Sequence, residues 1–181
     1  MRADAERNRA RVLEAAETVL TRDGLDAPMR SIASQAGVGV ATIYRQYPTK
    51  EALYQAILAD RMQRLVARAR TLAEAAAPAE AFFAFFTSIV EDATTKKIFA
   101  DALESAGIDA KAAAPDSGHD VLHAIEALLV CAQQASAVRS DVRMPEVLAL
   151  LSGACLAAKQ QHWDEPLRNR TLGIVFDGLR G

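Results

Sequence analysis

Residues 29–50 read MRSIASQAGVGVATIYRQYPTK. Ala33, Gly37, Val38 and Ile43 stand at offsets that leave little choice of local structure. They predict two short helices, 29–36 and 40–46, joined by the tight turn Gly37-Val38-Gly39: a helix-turn-helix over about residues 30–49. Ala33 is small because the second helix crosses above it. Gly37 falls where the chain needs a positive φ that branched residues resist. Val38 and Ile43 fill the space between the helices. Val40, Ala41, Thr42, Tyr44 and Arg45 are then turned outward. Short side chains at the start of this helix let its backbone approach base edges, and Arg45 carries paired donors for a guanine or a phosphate. Tyr44, Tyr47 and Lys50 are placed to reach phosphates and fix the register. The predicted contact with double-stranded DNA is therefore Val40, Ala41, Thr42, Tyr44, Arg45, Tyr47 and Lys50.

The rest of the chain reads as helix. Val12, Leu13, Ala16, Val19 and Leu20 recur at helical spacing over roughly 5–22, and Asp23-Gly24 ends that run with a left-handed cap. Thr49 is placed to cap a long helix over about 50–73. Further helices are predicted over about 79–93, 95–106, 118–137, 145–162 and 166–179, punctuated by Pro78, Gly107, Pro115, Pro145 and Pro166. No segment alternates with β-branched enrichment, so the fold class is all-α. The expected division is a DNA-binding domain over 1–50 and a second helical domain over 51–181.

Charge supports that division. The net charge of −2 hides an excess of +4 over residues 1–70 and of −6 over 71–181, so the first part can meet a polyanion and the second cannot. No apolar run approaches the ~20 residues of a membrane span, and the charged start MRADAERNRAR leads into no secretory core. A cytoplasmic protein is expected. Cys131 and Cys155 lack metal-ligand spacing and read as buried, reduced thiols. No nucleophile–base set, phosphate-cradling glycine loop or paired carboxylates are present, which argues against an enzyme and against a cofactor.

RVLEAAETVLTRDGLDAP followed by IASQAGVGVATIYRQYPTKEALYQAIL resembles the amino-terminal DNA-binding domain of the TetR family of transcriptional regulators. The likeness covers about residues 8–58, and the second domain is similar to the effector domains of a branch with the signature GVGxxTxYRxxPTxEAL. The resemblance implies a nine-helix homodimer: a three-helix DNA-binding domain followed by a ligand-binding and dimerisation domain. It implies a repressor held on a palindromic operator and released by a small molecule. The positions that carry over are Thr42, Tyr44, Arg45, Tyr47 and Lys50. Pro28 replaces the usual hydroxyl residue at the start of the second helix, Gly39 the usual Ser of the turn, and Gln46-Tyr47 the usual His-Phe.

The second domain offers three features. Phe82 and Phe86 share one side of helix 79–93, and with Phe99, Leu103, Leu122 and Trp163 they form the expected lining of a pocket for an apolar or amphipathic effector, or else a bundle core. His119 and His123, at i and i+4, have no identifiable third metal ligand; a metal- or thiol-sensing regulator is the alternative function, a helical enzyme a distant one. The last two helices are apolar on more than one side, and Ala149, Gly153 and Ala157 form a small-residue stripe. With Leu156, Val175 and Leu179 these are the expected homodimer interface, which the resemblance implies is a four-helix bundle.

Overall fold

The structure, a computed structural model, describes residues 2–95 and 115–181. The described residues form eight helices and no strand: α1 (Arg2–Asp23), α2 (Met29–Ala36), α3 (Val40–Gln46), α4 (Lys50–Ala75), α5 (Pro78–Thr95), α6 (Pro115–Gln134), α7 (Met144–Gln161) and α8 (Glu165–Leu179). The fold is all-α, as expected. The helix predicted over 95–106 and the loop over 107–117 fall almost wholly outside the described residues.

Two compact units form. The first holds α1–α3 and α4 as far as Gln63; the second holds the rest of α4, α5, α6 from His119, and α7–α8. The first core is built from the predicted stripe of α1, joined by Met29, Ile32, Ala33 and Ala36 of α2, Ile43 of α3, and Leu53, Tyr54, Ile57 and Leu58 of α4. The boundary drawn at residue 50 thus lies inside this core, because the first turns of α4 are as buried as α1. Thr49 caps α4 as predicted, its hydroxyl accepting the Ala52 amide at 3.1 Å.

The second core joins Phe82, Phe85, Phe86 and Val90 of α5 to Ile125, Leu128, Leu129 and Ala132 of α6, Val147, Leu151, Ala154 and Ala158 of α7, and Leu172, Phe176 and Leu179 of α8. α6 ends at Gln134, before the expected 137, while α7 ends where expected, and each is followed by a residue other than glycine with positive φ. Ser136 (φ 57°) follows α6 and His162 (φ 53°) closes α7. At the end of α6 the Ala137 amide reaches the Ala132 carbonyl at 2.9 Å and the Ser136 amide the Gln133 carbonyl at 2.9 Å, a Schellman closure. Ser136 is not glycine, so the end of α6 carries no glycine stop signal. The starts are conventional: Glu146 accepts the Arg143 amide at 3.0 Å, and Asp164 accepts the Leu167 amide at 2.8 Å.

Candidate functional site

The turn between α2 and α3 has the geometry its sequence demands. Gly37 has φ 65°. The Val38 amide reaches back to the Ala33 carbonyl at 3.0 Å and the Gly37 amide to the Ser34 carbonyl at 3.2 Å, so the end of α2 is closed by a Schellman motif. Val38 packs onto the first core, and Ile43 is fully buried. Ile43 alone of α3 is buried, so the helix is pinned by one residue and open on its other sides. Gly39 and Pro28 occupy the N-cap positions of α3 and α2 with no side-chain cap, the consequence of lacking hydroxyls there.

Val40 (38% exposed), Ala41, Tyr44 (50%) and Arg45 lie on the open side of α3, and Thr42 is half-buried. Two further predicted residues are placed otherwise. Tyr47 is buried, 6% exposed, in the first core. Burial pushes its ionisation up, and the Asp60 charge adds to this, although the Arg9 guanidinium opposes it. An aromatic ring at the end of α3 is needed to cover the core, which removes it from the phosphate-reaching set. Lys50 is half-buried and donates to the Leu25 carbonyl at 3.1 Å, bridging α4 to the α1–α2 connection. The influence of Arg9 on Tyr47 joins residues thirty-eight apart and has no local signal in the sequence.

In the second unit, Phe82 and Phe86 take the second of their two expected places, the bundle core. They are 2% and 3% exposed and packed into the core: Phe86 meets Phe176 edge-on at 5.4 Å, and Phe82 meets Phe83 at 5.3 Å. Leu122 is 42% exposed, and the Trp163 indole donates to Gln161 at 3.1 Å. Phe99 and Leu103 lie outside the described residues. A cavity of about 360 Å³ opens elsewhere in this unit, walled by α4, the start of α5 and α6. Cys131, expected buried, is exposed, while Cys155 is half-buried. His119 and His123 are exposed, and among the described residues no group of three His, Cys, Asp or Glu is placed to hold a metal.

Of the expected interface residues, Ala149, Gly153 and Leu156 are exposed, Leu156 at 54%. Ala157 and Val175 are half-buried, and Leu179, 4% exposed, belongs to its own subunit's core. Leu150, Leu167 and Ile174, the last at 75%, add exposed apolar surface on α7 and α8.

A short helix held by one apolar pin behind a glycine-closed turn, with small, hydroxyl and cationic side chains facing out, defines a helix-turn-helix DNA-binding transcriptional regulator. Residues 12–57 match the amino-terminal family of bacterial regulatory proteins of the tetR type, and residues 77–181 match the C-terminal domain of SbtR-like transcriptional regulators. The chain is similar over 99% of its length, and of the other's, to a TetR transcription regulatory protein of Mycobacterium vanbaalenii, with 41% identity and a TM-score of 0.84. It is 36% identical to the TetR regulator SCO0520 of Streptomyces coelicolor, over 95% of this chain and 98% of that one, with a TM-score of 0.78. The HTH-type transcriptional regulator UidR of Escherichia coli is 34% identical over 71 residues, 39% of this chain; the match spans only 36% of UidR. The chain belongs to the TetR family of transcriptional regulators, a family of DNA-binding proteins rather than enzymes. Among the described residues no helix is long and apolar enough to cross a membrane.

Proposed function

We propose that this regulator is a cytoplasmic homodimeric repressor that holds a palindromic operator and is released from it by a small molecule. The observation that carries the reading is the open side of α3. Val40, Ala41, Tyr44 and Arg45 contribute nothing to the core, yet they sit on a helix fixed tightly by Ile43 and the Gly37 turn. A helix held rigidly with its outer side unused is suited to entering a major groove, where Arg45 reads a base edge or a phosphate and the small Ala41 permits close approach. Lys50 and Tyr54 both bind the Leu25 carbonyl, at 3.1 and 2.6 Å, and so orient the start of α4 against the α1–α2 connection.

One such helix reads few base pairs. Specific affinity therefore requires two, about 34–36 Å apart to meet successive major grooves on one side of the duplex. The exposed apolar residues of α7 and α8 supply the surface for pairing. A Cβ added at Gly153 would meet nothing within 4 Å in its own chain, so a partner helix has room to approach there. Effector release is a population shift: a molecule that binds better to a dimer with the wrong helix spacing draws the protein off DNA.

The test is selection of random duplexes by the purified protein, followed by sequencing. The expected product is an inverted repeat whose half-sites lie one helical turn apart. Enrichment of a single, non-repeated half-site would overturn the dimeric reading, and no enrichment would overturn the operator reading.

A further inference from the structure

The outer side of α3 is chemically uneven along its length. Ala41 and Arg45 stand two residues either side of the buried Ile43, so helical geometry turns both away from the first core. Val40 flanks Ala41, is 38% exposed and is no part of that core. The exposed side chains at the start of α3 are therefore hydrocarbon alone, and Gly39 before them has none. Thr42 is half-buried, and the helix carries no carboxylate. Neither packing nor helix propensity calls for an outward valine here. A β-branched residue is among the weaker helix formers, and α3 has only seven residues.

We propose, resting on the operator reading above, that Val40 and Ala41 read a thymine in each half-site by its methyl group. The leading residues of a recognition helix come nearest the base edges. The major groove offers a hydrocarbon side chain one specific partner, the C5-methyl of thymine. The edges of adenine, guanine and cytosine present donors and acceptors instead, and Val40 and Ala41 would strip these of water without replacing it. Specificity at this position thus comes from apolar contact with thymine and from the cost of burying any other edge. Polar readout is left to Arg45, one turn further along the same side.

The probe is the duplex selected by the purified full chain, remade with deoxyuridine for thymidine at one half-site position at a time. Uracil differs from thymine only in lacking the methyl. Fluorescence anisotropy should find one or two positions in each half-site where uracil weakens binding by about fourfold, the effect of one buried methyl group. At such a position a 5-methylcytosine–guanine pair should bind better than a cytosine–guanine pair by a similar factor, because only the methyl distinguishes them. Val40→Ala and Ala41→Gly should each bring the thymine-to-uracil affinity ratio toward one. That ratio compares two duplexes on one protein, so a looser α3 in the glycine variant leaves it readable. Uracil that binds like thymine at every position would overturn the methyl reading. A ratio unchanged in both variants would place the effect in the duplex rather than at these residues, and would also overturn it. Enrichment of no duplex would overturn the operator reading and this one together, an outcome distinct from a selected duplex that ignores its methyls.

Discussion

The ammonium of Lys50 lies 3.1 Å from the carbonyl oxygen of Leu25. The Tyr54 hydroxyl takes the same oxygen at 2.6 Å, so the first turns of α4 are fastened twice to the chain between α1 and α2. Tyr54 is 4% exposed, and its hydroxyl is a buried donor with this carbonyl as its acceptor. Tyr54→Phe leaves the ring in the core and deletes one fastening. The expected loss is about 0.5–1.5 kcal/mol of unfolding free energy, seen as a lower urea midpoint at unchanged slope. Lys50→Ala should lower stability by less, because its donor is only half-buried, and should weaken binding to all DNA sequences alike by loosening the start of α4.

Readout is expected to separate from positioning on α3. Arg45→Ala should weaken operator binding by about 1–3 kcal/mol and relax preference at one base position if it reads a base edge. Tyr44→Phe should weaken operator and unrelated DNA equally, because phosphates carry no sequence information. Fluorescence anisotropy with the selected duplex and a scrambled one checks both. Parent-like affinity in both variants would show that the open side of α3 is not the contact.

Alkaline pH should destabilise the protein through two buried phenols. Burial raises the ionisation of both Tyr47 and Tyr54, with the Glu51 and Asp26 charges adding to the effect at Tyr54. The folded state therefore keeps these protons after the unfolded chain has lost them. Their contribution is fully present below the ordinary tyrosine value of about 10 and declines as pH rises past it. Urea midpoints measured from neutrality to pH about 11 should fall, and Tyr47→Phe or Tyr54→Phe should flatten the fall. An equal slope in parent and variants would remove these phenols as its cause.

The exposed side of α7 and α8 predicts the state of assembly. Ile174 is 75% exposed, Leu156 54%, and neither supports its own subunit's core. Light scattering of the parent should give twice the 19.4 kDa chain mass. Ile174→Asp with Leu156→Asp should give a single chain mass with helical content preserved and operator binding lost. A parent that scatters as a single chain at micromolar concentration would defeat the interface and the two-half-site mechanism together.

Ser136 holds a left-handed backbone at φ 57° without being glycine. Ser136→Gly relieves a cost of about 1–2 kcal/mol in the folded state, partly offset by the greater freedom of glycine in the unfolded chain. A net gain of up to about 1 kcal/mol is expected by chemical denaturation, whereas Ser136→Val should destabilise.

What the sequence determined by itself is what rests on near neighbours. The α2–α3 turn depends on Ala33, Gly37 and Val38, all within six residues, and the apolar stripe of α1 recurs at helical spacing. The helix-turn-helix, the outward side of α3, the Thr49 cap and the all-helical class were therefore legible. Tertiary structure alone decided the rest. Tyr47 reads as an exposed phosphate ligand until the first core encloses its ring. Lys50 reads as a phosphate contact; that one of its three donors goes to Leu25, twenty-five residues earlier, shows only in the fold. Phe82 and Phe86 suit an aromatic pocket or a bundle core, and only their contacts with Phe83 and Phe176 place them in the core. The cavity opened instead where alanines of three helices face one another, and alanine in a helix carries no sequence mark of being opposite another alanine. Periodicity states which side of a helix is apolar; only packing between helices settles whether that side is filled.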